Sequence, residues 1–192
     1  MRTGYYRGRC AAVTGAASGI GRAFAERLAD FGTHLELADV DEPALRRAAE
    51  AIGDRATRAG GTVHATVLDV RDRAAVRRWI DGAVSRHGQL HFLFNNAGVE
   101  RLRDVLDMDD GDWDEMRAVN VDGVVHGVQA AYPVMARQGF GHIVNTASAA
   151  GLVATPGLTG YCMTKHAVVG LTTALDCEAQ RFGVRAHAIC PG

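Results

Sequence analysis

Tyr161 and Lys165 stand at i and i+4 in a stretch with helical periodicity, so both side chains project from one face. A phenol ionises near pH ~10 and is a poor base at neutral pH. A fixed ammonium beside it lowers that value and lets the oxygen take a proton. The pair therefore suits general acid/base work on a hydroxyl. Tyrosine and lysine at this spacing are also common on exposed helix surfaces, so the weight comes from their companions. Ser148, at the end of a β-like run, can donate to an oxygen on which charge develops, or it can cap the turn begun by Ala149-Ala150-Gly151. Asn120 lies inside a helical pattern, where it either breaks the helix locally or is merely a poor helix former facing solvent, and its apolar neighbours Val119 and Val121 disfavour a purely exposed position. Of the 21 basic residues only Lys165 is a lysine. Arginine serves at every other basic position, but its planar fork does not replace a compact ammonium beside a phenol.

A second constellation comes early in the chain. Thr14-Gly15-Ala16-Ala17-Ser18-Gly19-Ile20-Gly21 follows an apolar run and opens a helix. Glycines there allow positive φ and a close backbone approach to a pyrophosphate. The helix N-terminus then offers free N–H groups to the phosphates. The spacing is GxxxGxG rather than GxGxxG, and its place between a strand and a helix is what gives it meaning. Asp39 ends the next β-like run, where a carboxylate accepts hydrogen bonds from both ribose hydroxyls of an adenosine and repels a 2′-phosphate. Ala16–Ser18 holds no arginine or lysine to offset that repulsion, so the cofactor expected is NAD rather than NADP. The alternative for Asp39 is an ordinary turn aspartate before Asp41-Glu42-Pro43.

These residues need elements to hold them. Short β-like runs cover Arg9–Val13, His34–Ala38, Thr62–Leu68, His91–Phe94, His142–Ala147 and Val184–Ile189. Between them, apolar residues recur at helical spacing over Ile20–Phe31, Glu42–Ala59, Ala74–His87, Trp113–Arg137 and Tyr161–Phe182. Asp72 is placed as an N-cap, and Gly32 and Gly88 as helix stops. Strict alternation with strands apolar on both faces predicts an α/β fold, a doubly wound parallel sheet in the order 3-2-1-4-5-6. One domain is expected over all 192 residues.

Composition bounds the partners. Hydrophobic residues make up 47% and charged residues 22%, and the net charge is -1, which argues against a nucleic-acid or acidic-lipid surface. No apolar run is long enough to predict a membrane span. The N-terminus MRTGYYRGRC lacks an apolar core, so no signal peptide is expected. The four cysteines form no CxxC pair or zinc-like spacing and the eight histidines are scattered, so no metal is expected. Cys10, Cys177 and Cys190 read as buried or half-buried reduced thiols, and the compartment as cytoplasmic.

Taken in order, the motifs resemble those of the short-chain dehydrogenases/reductases, over nearly the whole chain. TGAASGIG (Thr14–Gly21) is similar to the family's cofactor loop. Leu68-Asp69-Val70 resembles its adenine-side segment, and Asn95-Asn96-Ala97-Gly98 its NNAG motif. Val119-Asn120 resembles its helix-embedded asparagine, and Ser148 precedes Tyr161-Cys162-Met163-Thr164-Lys165 as a serine precedes the family's YxxxK. Pro191-Gly192 resembles the PG that lines the nicotinamide. The resemblance implies hydride transfer between NAD(H) and a secondary alcohol or ketone. Asn120, Ser148, Tyr161 and Lys165 would be catalytic, and Asn120 would extend a proton path from Lys165 to solvent through a water. It implies cofactor contacts at Thr14, Gly15, Ser18, Gly19, Ile20, Gly21, Asp39, Asp69, Val70, Asn96, Ala97, Gly98, Tyr161, Lys165, Pro191 and Gly192. It also implies a homodimer or homotetramer through helices 113–137 and 161–182.

The family's substrate lid, last helix and last strand would lie beyond Gly192, so a truncated chain is expected. Two other functions are weighed: a dinucleotide-binding module serving as sensor or scaffold, and a sugar-nucleotide epimerase or dehydratase. The four catalytic residues disfavour the first, and the GxxxGxG loop disfavours the second. Val99–Leu106 and Gly151–Leu158 are the expected substrate walls, with Arg101 and Arg103 able to meet a carboxylate or simply to sit in a solvated loop.

Overall fold

A computed structural model describes residues 3–192. Six strands form one parallel sheet: β1 (Cys10–Thr14), β2 (His34–Asp39), β3 (Val63–Val67), β4 (Phe92–Asn95), β5 (Gly141–Thr146) and β6 (Val184–Ile189). Their spatial order is β3-β2-β1-β4-β5-β6, the doubly wound order that the alternation predicts. The switch point between β1 and β4 opens a crevice at the carboxyl ends of the strands.

The helices begin and end where local chemistry dictates. α1 (Gly19–Asp30) follows the glycine loop, α2 (Glu42–Ala59) starts at Asp41 and α3 (Arg73–His87) starts at Asp72. Asp41 and Asp72 accept the backbone N–H of Ala44 and Ala75, both at 2.9 Å, as N-caps do. Gly60 and Gly88 close α2 and α3 in the left-handed conformation open to glycine.

The long pattern expected over Trp113–Arg137 is three pieces instead: α4 (Asp110–Arg117), a π-turn (Ala118–Asp122) and α5 (Gly123–Gln138). The start moves upstream because Asp109 and Asp112 form a reciprocal capping box. The break centres on Asn120, as expected, and turns that residue inward rather than to solvent. α6 (Thr159–Ala179) ends in a short 3-10 turn through Phe182.

Alternation along β1 sends Cys10 and Ala12 to one face and Ala11 and Val13 to the other. One face packs under α1 and α2 through Leu28, Leu35, Leu37, Leu45 and Ile52. The opposite face packs under α3, α5 and α6 through Trp79, Ile80, Met135 and Leu175. A polar ladder crosses this second layer: Asn95 donates to Asn145 (2.8 Å), and Asn145 donates to the Thr172 hydroxyl (2.9 Å). It ties β4, β5 and α6 together behind the crevice. Among the described residues no helix is long and apolar enough to cross a membrane.

Candidate active site

The carboxyl ends of β1 to β5 frame a cavity of about 470 Å³. The glycine loop forms one wall. A Cβ on Gly15 (φ +64) would lie 2.9 Å from Ala97 Cα, and one on Gly21 would lie 2.2 Å from the Gly15 carbonyl oxygen. These glycines let the loop close against the turn after β4. Gly19 (φ +52) differs, since a Cβ there would meet nothing within 4 Å. Ser18 stands at the N-cap of α1 yet its side chain caps no amide, unlike Asp41 and Asp72 on α2 and α3. The first-turn N–H groups of α1 are therefore free of a side-chain acceptor, at the positive end of the helix dipole and beside the cavity.

Asp39 occupies the lip at the end of β2. Its carboxylate accepts the N–H of Ala17 (2.9 Å) and of Asp41 (3.0 Å), so it serves the turn and is held rigid against the glycine loop at once. Across the crevice, the Thr14 hydroxyl accepts the N–H groups of Asn96 (2.9 Å) and Ala97 (3.1 Å). Asn96 in turn donates to the Gly15 carbonyl (3.3 Å) and accepts from the Thr146 hydroxyl (3.1 Å). The turn that follows β4 is thus stitched to β1 on one side and to β5 on the other.

At the other end of the cavity α6 presents Tyr161 and Lys165 together. Lys165 is 3% exposed, and its Nζ donates to the Thr146 carbonyl at 2.8 Å. Burial pushes the ammonium down from 10.5 to about 8. The Tyr161 phenol is raised, chiefly by burial, while the Ser148 hydroxyl pulls the other way and Glu100 and Cys162 add to the rise. The sequence expectation that Lys165 lowers the phenol is not met here. The ammonium turns its hydrogen bond to Thr146 and lies 5.4 Å from the centre of the tyrosine ring. Ser148 takes the capping role weighed for it, its Oγ accepting the Ala150 N–H (3.1 Å), and its hydroxyl also faces the Tyr161 phenol.

Asn120 is fully buried in the π-turn. Its Oδ1 accepts the Val99 N–H (2.8 Å), and its Nδ2 donates to the Val99 carbonyl (2.8 Å) and the Thr164 hydroxyl (3.1 Å). Both amide hydrogens are used, so the side chain is a strut between the loop after β4 and α6. Gly98 makes this approach possible: a Cβ there would sit 3.2 Å from Asn120 Oδ1 and 3.5 Å from Lys165 Nζ.

Most of the cofactor contacts expected from the sequence share this one cavity: Gly15, Ser18, Gly19, Ile20 and Asp39, then Asp69, Val70 and Asn96–Gly98, and finally Tyr161 and Lys165. Thr14, Gly21 and Asn120 act from behind its wall. Ser148, Pro191 and Gly192 do not line it; the Pro191 carbonyl accepts the Ala149 N–H (2.7 Å) at its edge.

Four residues escaped the sequence reading. Arg71 lines the cavity with its guanidinium locked on Asp69 (2.8 and 2.6 Å), which holds the Asp69 carboxyl below its usual range. Buried His126 on α5 bonds the Val70 carbonyl through Nδ1 (2.9 Å), and Val70 packs on Gly123 of the same helix. Glu100 and Glu115 line the same cavity. Glu100 fell within the Val99–Leu106 segment expected as a substrate wall without being singled out, His126 was one of eight scattered histidines, and Arg71 and Glu115 gave no signal.

Two expectations are corrected. Arg101 and Arg103 are not free to meet a carboxylate: Arg101 pairs with Glu115 and Asp112, and Arg103 with Asp112 at 2.7 Å. α4 supplies these acids, three and more residues from any motif. Cys177 is exposed rather than buried, because its position on α6 faces away from the sheet, while Cys10 is buried and Cys190 half-buried.

Comparison with known proteins gives a consistent result. Residues 9–192 match the family model described as short chain dehydrogenase. Over 190 residues the chain is 40% identical to oxidoreductase UcpA of Escherichia coli K12, covering 98% of this chain and 70% of the relative. A short chain dehydrogenase/reductase of Burkholderia phymatum, solved in complex with NAD, superposes with a TM-score of 0.91 at 42% identity, covering 97% of this chain and 66% of that one. An NAD+-bound xylitol dehydrogenase superposes with a TM-score of 0.93 at 34% identity, over 98% of this chain and 71% of that one.

Proposed function

The chain belongs to the short chain dehydrogenase family, and from that membership we propose that it is an oxidoreductase interconverting a secondary alcohol and a ketone with NAD(H). One observation carries the reading: the uncapped N-terminus of α1, the rigid Asp39 carboxylate and the Tyr161–Lys165 pair open into a single cavity. A dinucleotide fits that donor set. The free amides of α1 and the glycines at 15 and 19 would take the pyrophosphate. Asp39 would take the adenosine ribose, and Asp69-Val70 the adenine. Tyr161, Lys165 and the Pro191-Gly192 edge would face the nicotinamide ribose and ring.

When bound, NAD accepts the hydride of a CH–OH group and returns it to the ketone in the reverse direction. The protein's own residues handle the proton. Tyr161 takes the hydroxyl proton as the alcohol is oxidised and gives it back on reduction. Lys165 holds its ammonium on the Thr146 carbonyl beside the tyrosine ring, where it would reach the nicotinamide ribose. Ser148 donates to the substrate oxygen and already lowers the cost of ionising Tyr161. Asn120 keeps α6 and the loop after β4 at a fixed separation, and the proton leaves past it.

NAD is preferred over NADP in this reading, because Asp39 repels a 2′-phosphate and the nearby Arg71 is already neutralised by Asp69. Helices 113–137 and 161–182 are the proposed contacts of a homodimer or homotetramer, and the cytoplasm is the proposed compartment.

A binding-only module is the second reading. It is favoured by one observation, that Ser148, Pro191 and Gly192 stand outside the lining of the cavity that holds Tyr161 and Lys165. Calorimetric titration with NAD beside a secondary-alcohol panel followed by NADH absorbance separates the two. The enzyme reading expects Tyr161→Phe to lose at least ~10³-fold in turnover while NAD affinity stays within about threefold. Turnover retained in that variant overturns the role of Tyr161.

A further inference from the structure

Glu100 follows the Asn96–Val99 turn and lines the same cavity as Tyr161 and Lys165. Its side chain is exposed, and its carboxylate has no hydrogen-bond or ion-pair partner among the described residues. The cations that could neutralise it are engaged elsewhere. Arg101 bonds the main-chain carbonyl of Glu100 (3.1 Å) but sends its charge to Glu115 and Asp112. Arg103 is held on Asp112, and its backbone N–H is tied to the Gly157 carbonyl at 2.9 Å. Lys165 is buried and turned to Thr146. A molecule entering beside the phenol therefore meets one uncompensated carboxylate and no free cation.

We propose that Glu100 sets the charge selectivity of the site, admitting uncharged or amine-bearing secondary alcohols and ketones and turning away those with a carboxylate or phosphate near the reacting carbon. The proposal rests on the oxidoreductase reading above. The chemistry is that of specificity by repulsion: a like charge on the wall of the same cleft discriminates without any new attractive contact. The carboxylate shares the cavity wall with Tyr161, and its field opposes ionisation of the phenol. The same negative charge attracts an ammonium on the substrate.

The test uses three probes that share one ring and differ in charge: cyclohexanol, 4-hydroxycyclohexanecarboxylate and 4-aminocyclohexanol, each with NAD. The unmodified protein should turn over the carboxylate with kcat/KM on the order of tenfold below cyclohexanol, and the amine at least as well as cyclohexanol. Glu100→Gln keeps the shape and removes the charge. It should bring the carboxylate and neutral probes within about threefold of each other. An unchanged ratio in Glu100→Gln overturns the proposal.

A second readout needs no turnover. The ultraviolet titration of Tyr161, taken as the difference from Tyr161→Phe, should move to lower pH in the Glu100→Gln background, and a titration that stays in place overturns the proposal. A protein that oxidises none of the three probes but shows the shifted titration refutes the oxidoreductase reading while leaving the placement of Glu100 intact.

Discussion

Replacing Lys165 with methionine should stabilise the fold at neutral pH while removing turnover. Burial takes the ammonium from 10.5 to about 8, and at 1.36 kcal/mol per unit this is a cost of about 3 kcal/mol for keeping it charged in the folded state. Methionine has no charge to desolvate. The substitution leaves the Thr146 carbonyl without its 2.8 Å donor, which costs about 1–2 kcal/mol. The net expectation is a gain of about 1–2 kcal/mol below pH 8.

The sign reverses with pH. The folded value lies below the unfolded one, so the penalty is complete below pH 8 and fades between 8 and 10.5, where the folded state has shed the proton and the unfolded chain still holds it. Above 10.5 only the lost hydrogen bond is left, and the variant should be the less stable by about 1–2 kcal/mol. Urea midpoints of both proteins, measured without cofactor on either side of that window, read the difference directly. A variant destabilised equally at both ends would refute the reasoning. It would mean that Lys165 is not held charged at a cost, and that its place near Tyr161 is ordinary packing.

Three further outcomes are expected. Gly21→Ala places a Cβ 2.2 Å from the Gly15 carbonyl and 2.5 Å from Asn96 Nδ2, so it should destabilise the fold by about 1–3 kcal/mol and weaken NAD binding at least about tenfold, read by urea unfolding and calorimetry. Ser148→Ala should move the Tyr161 titration to higher pH and lower kcat/KM on the order of 10²-fold; a phenol that titrates as before would show that the serine acts only as a turn cap. Asp39→Ala removes the acceptor of the Ala17 and Asp41 N–H groups together with the charge, so NAD affinity should fall about tenfold and the ratio of NAD to NADP turnover should narrow; a ratio that holds would remove Asp39 from cofactor choice.

Local chemistry was legible in the sequence. Glu42–Ala59 and Val184–Ile189 were read with the bounds they have, and Asp72 was read as the cap it is, because propensity, capping and period act over a few neighbouring residues. The parallel sheet followed from the alternation, since parallel strands demand crossovers of one hand, and the order expected for a dinucleotide-binding sheet is the one found. The motif residues that line the cavity were also legible, because each owes its role to its own type and spacing. Asn120 was expected to break its helix, and it does.

What only the tertiary structure decided is the electrostatic state of those residues and the identity of their partners. Nothing near Lys165 in sequence shows that it points at Thr146, that burial lowers it to about 8, or that burial raises the Tyr161 phenol. Arg101 and Arg103 read as free cations until α4 brings Asp112 and Glu115 against them, and that leaves Glu100 without an ion-pair partner among the described residues. His126 reads as one of eight scattered histidines until α5 lays it under Val70. Period and propensity are properties of a segment and survive in one dimension. Desolvation and charge pairing depend on which distant groups close within a few ångströms, and the folded chain alone sets that distance.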